Sequence, residues 1–381
     1  MDQTNINQKP NRQFLINVVI KGVLLFIALN VAVALIPQGG KAGQISLYNL
    51  LFPGRTRLPF GENPDQAYNL SIYDLEAMFA SHEISAGSKP SDEFRIILIG
   101  DSATWGILLK PEDTLSGLIN QVGFIACDGR AVRAYNLAYP SMSLTKDLMI
   151  LEKALQYQPD LVIWPVTLES LPKGLQVATP LAANNPQRVV PLIQQYNLDL
   201  NPDSEDFNHL SFWERTLVGR RRTLLDAIQL QLYGLLWAGT GIDQTYPADI
   251  VPAQRNFEAD DTAFHSWEPD QLPTNQLAPE TLDAGSAMLG RVPLLVVNEP
   301  ILISDGENSG LRYNFFYPRW AYDQYRSVMV QAAGFASWSY VDLWDTVPAE
   351  EFTNSAVHLT PQGSQIYFHA LLPIIENLVC P

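Results

Sequence analysis

The run Arg95-Ile96-Ile97-Leu98-Ile99 halts at Gly100. It is short, β-branched and lacks polar alternation, so it reads as a strand buried on both faces, the kind that occurs in parallel sheets covered by helices. A helix must then follow. Residues 113–126 carry Leu115, Leu118, Ile119 and Val122 at helical spacing, with Asp113 or Thr114 as N-cap. The rhythm continues with a strand over 131–137, a helix over 145–157 and a strand over 161–166. After a long interruption, strands over 293–297 and 340–343 resume it. Strands alternating with helices specify an α/β fold whose ligand sites lie at the carboxyl ends of the strands.

The domain therefore occupies 94–381, with a large insertion over about 175–289 that is too long for an ordinary loop and rich in Pro, Asn, Asp and Gln. Within the insertion, 220–237 predicts a helix with a basic start, Arg220-Arg221-Arg222, followed by Leu224, Leu225, Ile228, Leu232, Leu235, Leu236 and Trp237. Three placements suit such a helix: on a membrane surface, over the active site, or packed against the main domain.

Upstream, residues 1–13 form a tail and 14–36, FLINVVIKGVLLFIALNVAVALI, a helix of roughly 34 Å, enough to cross a bilayer core. Lys21 is its only charge and lies close enough to the start to snorkel to the interface. Pro37, Gly39 and Gly40 end it. A cleaved signal peptide fits less well, because the run is long and Ala32 and Ala34 are followed by bulky Leu35 and Ile36. The expected product is a single-pass membrane protein. Lys9 and Arg12 on one side against Lys41, Arg55 and Arg57 on the other leave the orientation open. Residues 37–93, with scattered Gly and Pro and a short helix over 72–80, read as a linker.

Over the whole chain, 47% hydrophobic and 17% charged residues specify a folded protein. A formal charge of -16 excludes nucleic acid as a partner, since phosphate binding needs clustered Lys and Arg. No CxxC pair or His/Cys cluster has zinc spacing, so neither a metal nor another cofactor is expected.

Ser102 sits where the first buried strand ends, which exposes its hydroxyl at the functional edge of the sheet. A serine needs a base to become a nucleophile. Of the five histidines, His358 follows the last strand and precedes the closing helix, at the same edge. His82 and His265 lie in less regular context, His209 in the insertion and His369 within the final helix. Taken singly, Ser102 as a helix cap and His358 as a loop hydrogen-bonder are the plainer readings; their joint position favours catalysis.

These segments resemble the SGNH/GDSL hydrolase superfamily. Gly100-Asp101-Ser102 matches its first block, Asn136-Leu137-Ala138-Tyr139-Pro140-Ser141 its second, and Val357-His358-Leu359-Thr360-Pro361-Gln362-Gly363 its last. The resemblance covers roughly 94–175 and 290–380. It implies a flavodoxin-like three-layer α/β/α fold with Ser102 as nucleophile, His358 as base, and an oxyanion hole from the amides of Ser102 and Ala138, supported by Asp101 and Asn136. Two positions depart from the pattern. The third block's Asn is replaced by Leu168 or Glu169, and an ionised Glu would repel an oxyanion; a protonated Glu169 facing the pocket would instead donate, as the Asn does. The Asp expected three residues before the histidine is Ser355, with Asn354 beside it, so one of these or a main-chain carbonyl must orient the imidazole.

The implied topology also predicts a Cys127–Cys380 disulfide. In such a sheet the first and last helices share a face and end at the same end of the domain, and these cysteines follow those two helices. A disulfide would put the domain outside the cytoplasm. The functions that follow are an esterase or deacylase working through a Ser102 acyl-enzyme, an O-acyltransferase of envelope polymers with the same serine, or a catalytically silent scaffold. The expected partners are the membrane and an acyl-ester or glycan substrate.

Overall fold

The computed structural model describes residues 12–35, 41–52, 54–60, 73–242, 246, 249–269 and 271–380. Five strands form one wholly parallel sheet: β1 (Glu93–Leu98), β2 (Ala131–Asn136), β3 (Leu161–Val166), β4 (Leu294–Asn298) and β5 (Ser339–Asp342), in the order β2-β1-β3-β4-β5. This is the flavodoxin-like order, in which β1 and β3 flank the switch point where the chain changes direction across the sheet. β1 and β3 are buried along their whole length, and β1 carries Glu93 and Arg95 into that setting as an ion pair. Truncating Ile96 or Ile97, both fully buried, would cost about 2–5 kcal/mol by cavity formation.

The helices, in chain order, are α1 (Arg12–Leu35), α2 (Leu47–Leu51), α3 (Leu75–Ala80), α4 (Ser102–Trp105), α5 (Leu115–Val122), α6 (Leu144–Ala154), α7 (Lys173–Gln176), α8 (Pro180–Ala183), α9 (Pro186–Tyr196), α10 (Phe212–Arg215), α11 (Arg221–Thr240), α12 (Glu280–Leu289), α13 (Arg319–Ala333) and α14 (Pro361–Val379). Helices α5 and α14 cover one face of the sheet through Leu118, Ile119, Leu371 and Ile375. The other face is covered by α6, α12 and α13 through Leu148, Leu151, Leu282 and Tyr325. Thr114 is the α5 cap, its hydroxyl accepting from the Gly117 amide at 3.2 Å, and α5 stops at Gly123 in the left-handed region. The helix is therefore shorter than 113–126.

Because α5 and α14 lie side by side, their C-terminal ends meet, and Cys127 and Cys380 form a disulfide with Cα atoms 5.0 Å apart. Helix α1 is long and apolar enough to cross a membrane, and nearly all of it is exposed.

The expected linker behaves differently where it is described; Pro37, Gly39, Gly40 and the stretch 61–72 lie outside the described residues. Leu58, Leu75, Met78, Phe79 and Ile84 are buried in the main core, so 54–60 and 73–92 are part of the domain. Their cover is completed by polar anchors: buried His82 donates from Nε2 to the Asn136 carbonyl at 3.0 Å and accepts the Ile84 amide at Nδ1. Desolvation pushes this imidazole down to about 4, keeping it neutral. The insertion is likewise woven into the core, through Leu181, Val189, Leu192 and Phe264.

Candidate active site

At the end of β1 the chain must turn sharply to start α4, and Gly100 makes that possible. Its φ is +146°, and a Cβ there would meet Thr104 Oγ1 at 2.8 Å and the Pro165 carbonyl oxygen at 3.2 Å. Asp101 caps α4 by accepting the Ala103 amide at 2.9 Å, so Ser102 is the first helical residue. An amide in that position has no partner within its own helix.

The final turn before α14 brings His358 to the same edge. Its Nε2 lies 2.9 Å from Ser102 Oγ and its Nδ1 lies 2.8 Å from Asn354 Oδ1. An amide oxygen can only accept, so Nδ1 carries the proton and Nε2 accepts from the serine hydroxyl. Asn354, and not Ser355, occupies the orienting position. Burial pushes the His358 imidazole down to about 4, so it is neutral at pH 7. A hydroxyl that donates to the free nitrogen of a neutral, oriented imidazole is the arrangement from which a serine loses its proton as it attacks a carbonyl.

The other expected donors are arranged less simply. The Ala138 amide donates to Asn136 Oδ1 at 3.2 Å, a long bond within one turn. The Asn136 side chain also donates from Nδ2 to the Thr104 carbonyl at 2.8 Å, which ties the β2 turn to α4. The reading of Glu169 as a hydrogen-bond donor needs correction. Its Oε2 accepts from His265 Nε2 at 3.0 Å, and this bond raises the imidazole above its ordinary value. The two form an ion pair when His265 is protonated, with the carboxyl as acceptor.

A buried charged cluster lies behind these segments. Lys146 Nζ donates to the Gly100 carbonyl at 2.6 Å, to the Tyr139 carbonyl at 2.9 Å and to Asp147 Oδ1 at 2.5 Å, with both charged side chains buried. Gly100 precedes Asp101-Ser102 and Tyr139 follows Ala138. One ammonium therefore fixes the two turns that carry the candidate nucleophile and the two candidate amides. Asp147 is raised to about 6 by burial against the pull of Lys146, and also accepts from Trp164 Nε1 at 3.1 Å. Glu299, which directly follows β4, is buried and held well above the carboxylate range by desolvation and by the charge of Asp101. Asp101 beside it is itself raised by burial, so the two carboxyls disfavour each other's charged form.

His265, Lys146, Asp147 and Glu299 were not singled out in the sequence as site residues. The adjacent Lys146-Asp147 pair, followed in α6 by the apolar run Leu148–Leu151, was the available signal. Two adjacent residues on a helix point about 100° apart, so both cannot face solvent when the neighbours on either side are core residues.

No protein-family model matches the chain, and no curated protein does. Among solved structures it is similar to a carbohydrate acetylesterase family member from Sinorhizobium meliloti, at 10% identity and a TM-score of 0.33, over 75% of this chain and 98% of that one. It is also similar to the M. smegmatis aryl esterase, at 14% identity and a TM-score of 0.31, over 74% of this chain and 99% of that one. A third is an acetyl xylan esterase from Butyrivibrio proteoclasticus, at 10% identity and a TM-score of 0.30, over 76% and 65%. Identities and scores this low assign no activity to this chain.

Proposed function

We propose that the chain is an ester hydrolase of the SGNH type that carries the acyl group of its substrate on Ser102. The observation that carries this reading is the chain of hydrogen bonds Asn354 Oδ1, His358, Ser102 Oγ, at 2.8 and 2.9 Å. Ser102 Oγ adds to the ester carbonyl while His358 Nε2 takes its proton. The oxyanion so formed is met by the Ser102 amide and, once it leaves Asn136 Oδ1, by the Ala138 amide. Collapse breaks the ester C–O bond, and the leaving alkoxide takes the proton from His358. Water then adds to the acyl-enzyme by the same base, releasing the acid and restoring Ser102.

Asn354 is neutral, so it orients the imidazole without adding a negative charge beside the imidazolium that forms. The Ala138 amide must exchange one acceptor for another during the reaction. Both features predict a slow enzyme. If a sugar hydroxyl replaces water in the second half-reaction, the same atoms perform O-acyl transfer. The occupied Ala138 amide and the Glu169–His265 pair favour one rival, a catalytically silent member of the fold.

The exposed, apolar α1 supports a single-pass anchor, and the Cys127–Cys380 disulfide supports a domain outside the cytoplasm. The reading is tested by assaying the full chain on short-chain acyl esters. Ser102→Ala and His358→Ala should each abolish turnover while the circular dichroism spectrum stays unchanged. Substantial turnover by either folded variant would overturn it.

A further inference from the structure

Helix α11 has two apolar faces, and the domain covers one of them. Leu230, Gly234 and Trp237 are buried: Tyr48 of α2 packs on Gly234, and the Arg55 guanidinium lies 4.4 Å from the Trp237 ring centroid. At 100° per residue, Leu225, Ile228, Leu232 and Leu236 fall on the opposite side, and all four are exposed. Just before them, Trp213 of α10 is 77% exposed. Scattered surface leucines need no explanation, but a stripe this long on one helix does.

Three observations say what covers it. First, the segment that leads into α11 is docked on α1. The Val218 amide donates to Asn30 Oδ1 at 3.0 Å, and α10 packs against the last turns of α1. Second, Phe26 and Val31 of α1 and Phe212 and Val218 bound an almost wholly apolar groove of about 560 Å³, on the part of α1 that a bilayer would surround. Third, the exposed Arg221 and Arg222 open α11 in a chain of net charge -16. Cations beside an apolar stripe and a surface Trp are the composition of a helix lying in a membrane interface.

We infer that α10 and α11 are embedded in the interface of the bilayer that α1 crosses, with the stripe of α11 among the acyl chains and Arg221 and Arg222 at the phosphates. The domain is then held against the membrane surface instead of swinging on a tether. The attachment reaches the candidate site in few steps. Arg55, on Trp237, is two residues from Arg57, whose guanidinium lies 4.2 Å from the Trp105 ring centroid and donates to the Gly106 carbonyl at 2.8 Å, at the end of the helix that Ser102 begins. The surface that the protein engages is thus a lipid headgroup layer.

The inference depends on α1 being a membrane helix and is independent of any catalytic activity. It is tested with single nitroxide labels at Val23→Cys, Ile228→Cys, Leu232→Cys and Phe335→Cys in the full chain, reconstituted in vesicles of phosphatidylcholine and phosphatidylglycerol. Collisions with oxygen report lipid and collisions with a nickel chelate report water. The expected oxygen-to-nickel ratio at 228 and 232 is several-fold above that at 335, whose native Phe is 96% exposed. A label at 23 should be deeper still. Water-like ratios at 228 and 232 with a lipid-immersed 23 would overturn the inference and leave the anchor standing. Exclusion of both reagents at 228 and 232 would overturn it in favour of a protein partner. A water-exposed 23 would remove the anchor and the inference together.

Discussion

His358 Nε2 lies 2.9 Å from Ser102 Oγ, although 256 positions separate the two residues in sequence. The imidazole reaches the serine from the last loop of the domain, where burial pushes it down to about 4. A base must be unprotonated to act, so activity is retained above that value and lost as pH falls through it. The kcat/KM profile should stay flat well below pH 6.5, where an exposed histidine would already be half protonated, and decline with an apparent pKa near 4.

Replacing Asn354 by Asp keeps the acceptor at Nδ1 and adds a negative charge about one hydrogen bond away. An opposite charge at that range favours the imidazolium by about 1–3 pK units. Asn354→Asp should therefore move the acid limb upward by that amount and raise kcat, because the imidazolium formed in the transition state is then stabilised. Ser355→Ala should leave both almost unchanged. A pH profile of each purified variant is the check.

Much of this arrangement was legible in the sequence, and what escaped did so for definite reasons. Strands β1 and β3 were readable because burial on both faces gives them apolar runs, Ile96–Leu98 and Leu161–Trp164, without polar alternation. Ser102 was readable because it follows such a strand, His358 because it lies between the last strand and the closing helix, and both because their blocks resemble a known superfamily. The choice between Asn354 and Ser355 depends on backbone geometry in a loop, which side-chain chemistry does not encode. The partner of Glu169 comes from the insertion, 96 residues away, and no periodicity links the two. The stretch before β1 looked like a linker because Gly and Pro break it into short pieces, yet Leu58 and Phe79 fill the core and His82 supports the β2 turn.

Lys146→Met should be among the most damaging single changes. It leaves buried Asp147 without its ion-pair partner and takes one of the hydrogen bonds from each of the Gly100 and Tyr139 carbonyls. Removing one member of a buried ion pair costs about 3–5 kcal/mol, so the urea midpoint should fall accordingly. The double variant Lys146→Met/Asp147→Leu should recover stability without recovering full turnover, because the two turns are no longer tied together.

Glu299→Gln should be nearly silent. A buried carboxyl whose charged form is disfavoured by burial and by Asp101 is replaced by a neutral amide of the same shape. Glu299→Leu should be destabilising, because it puts an apolar group beside the buried carboxyl of Asp101; a buried polar group deprived of its polar neighbour costs about 1–3 kcal/mol. Thermal melts of the two variants side by side would separate these outcomes.

Removing the disulfide with Cys127→Ser and Cys380→Ser should lower stability by about 2–5 kcal/mol, since the bond closes a loop of 253 positions in the unfolded chain. Thiol titration of the unfolded, unreduced wild type should find no free cysteine.

The most direct test of the Ser102 acyl-enzyme is fluorophosphonate labelling followed by intact-mass and peptide analysis. The account predicts one adduct per chain on Ser102, none in Ser102→Ala, and strongly slowed labelling in His358→Ala. A folded wild-type protein that takes up no fluorophosphonate, or that is labelled equally after Ser102→Ala, would contradict it.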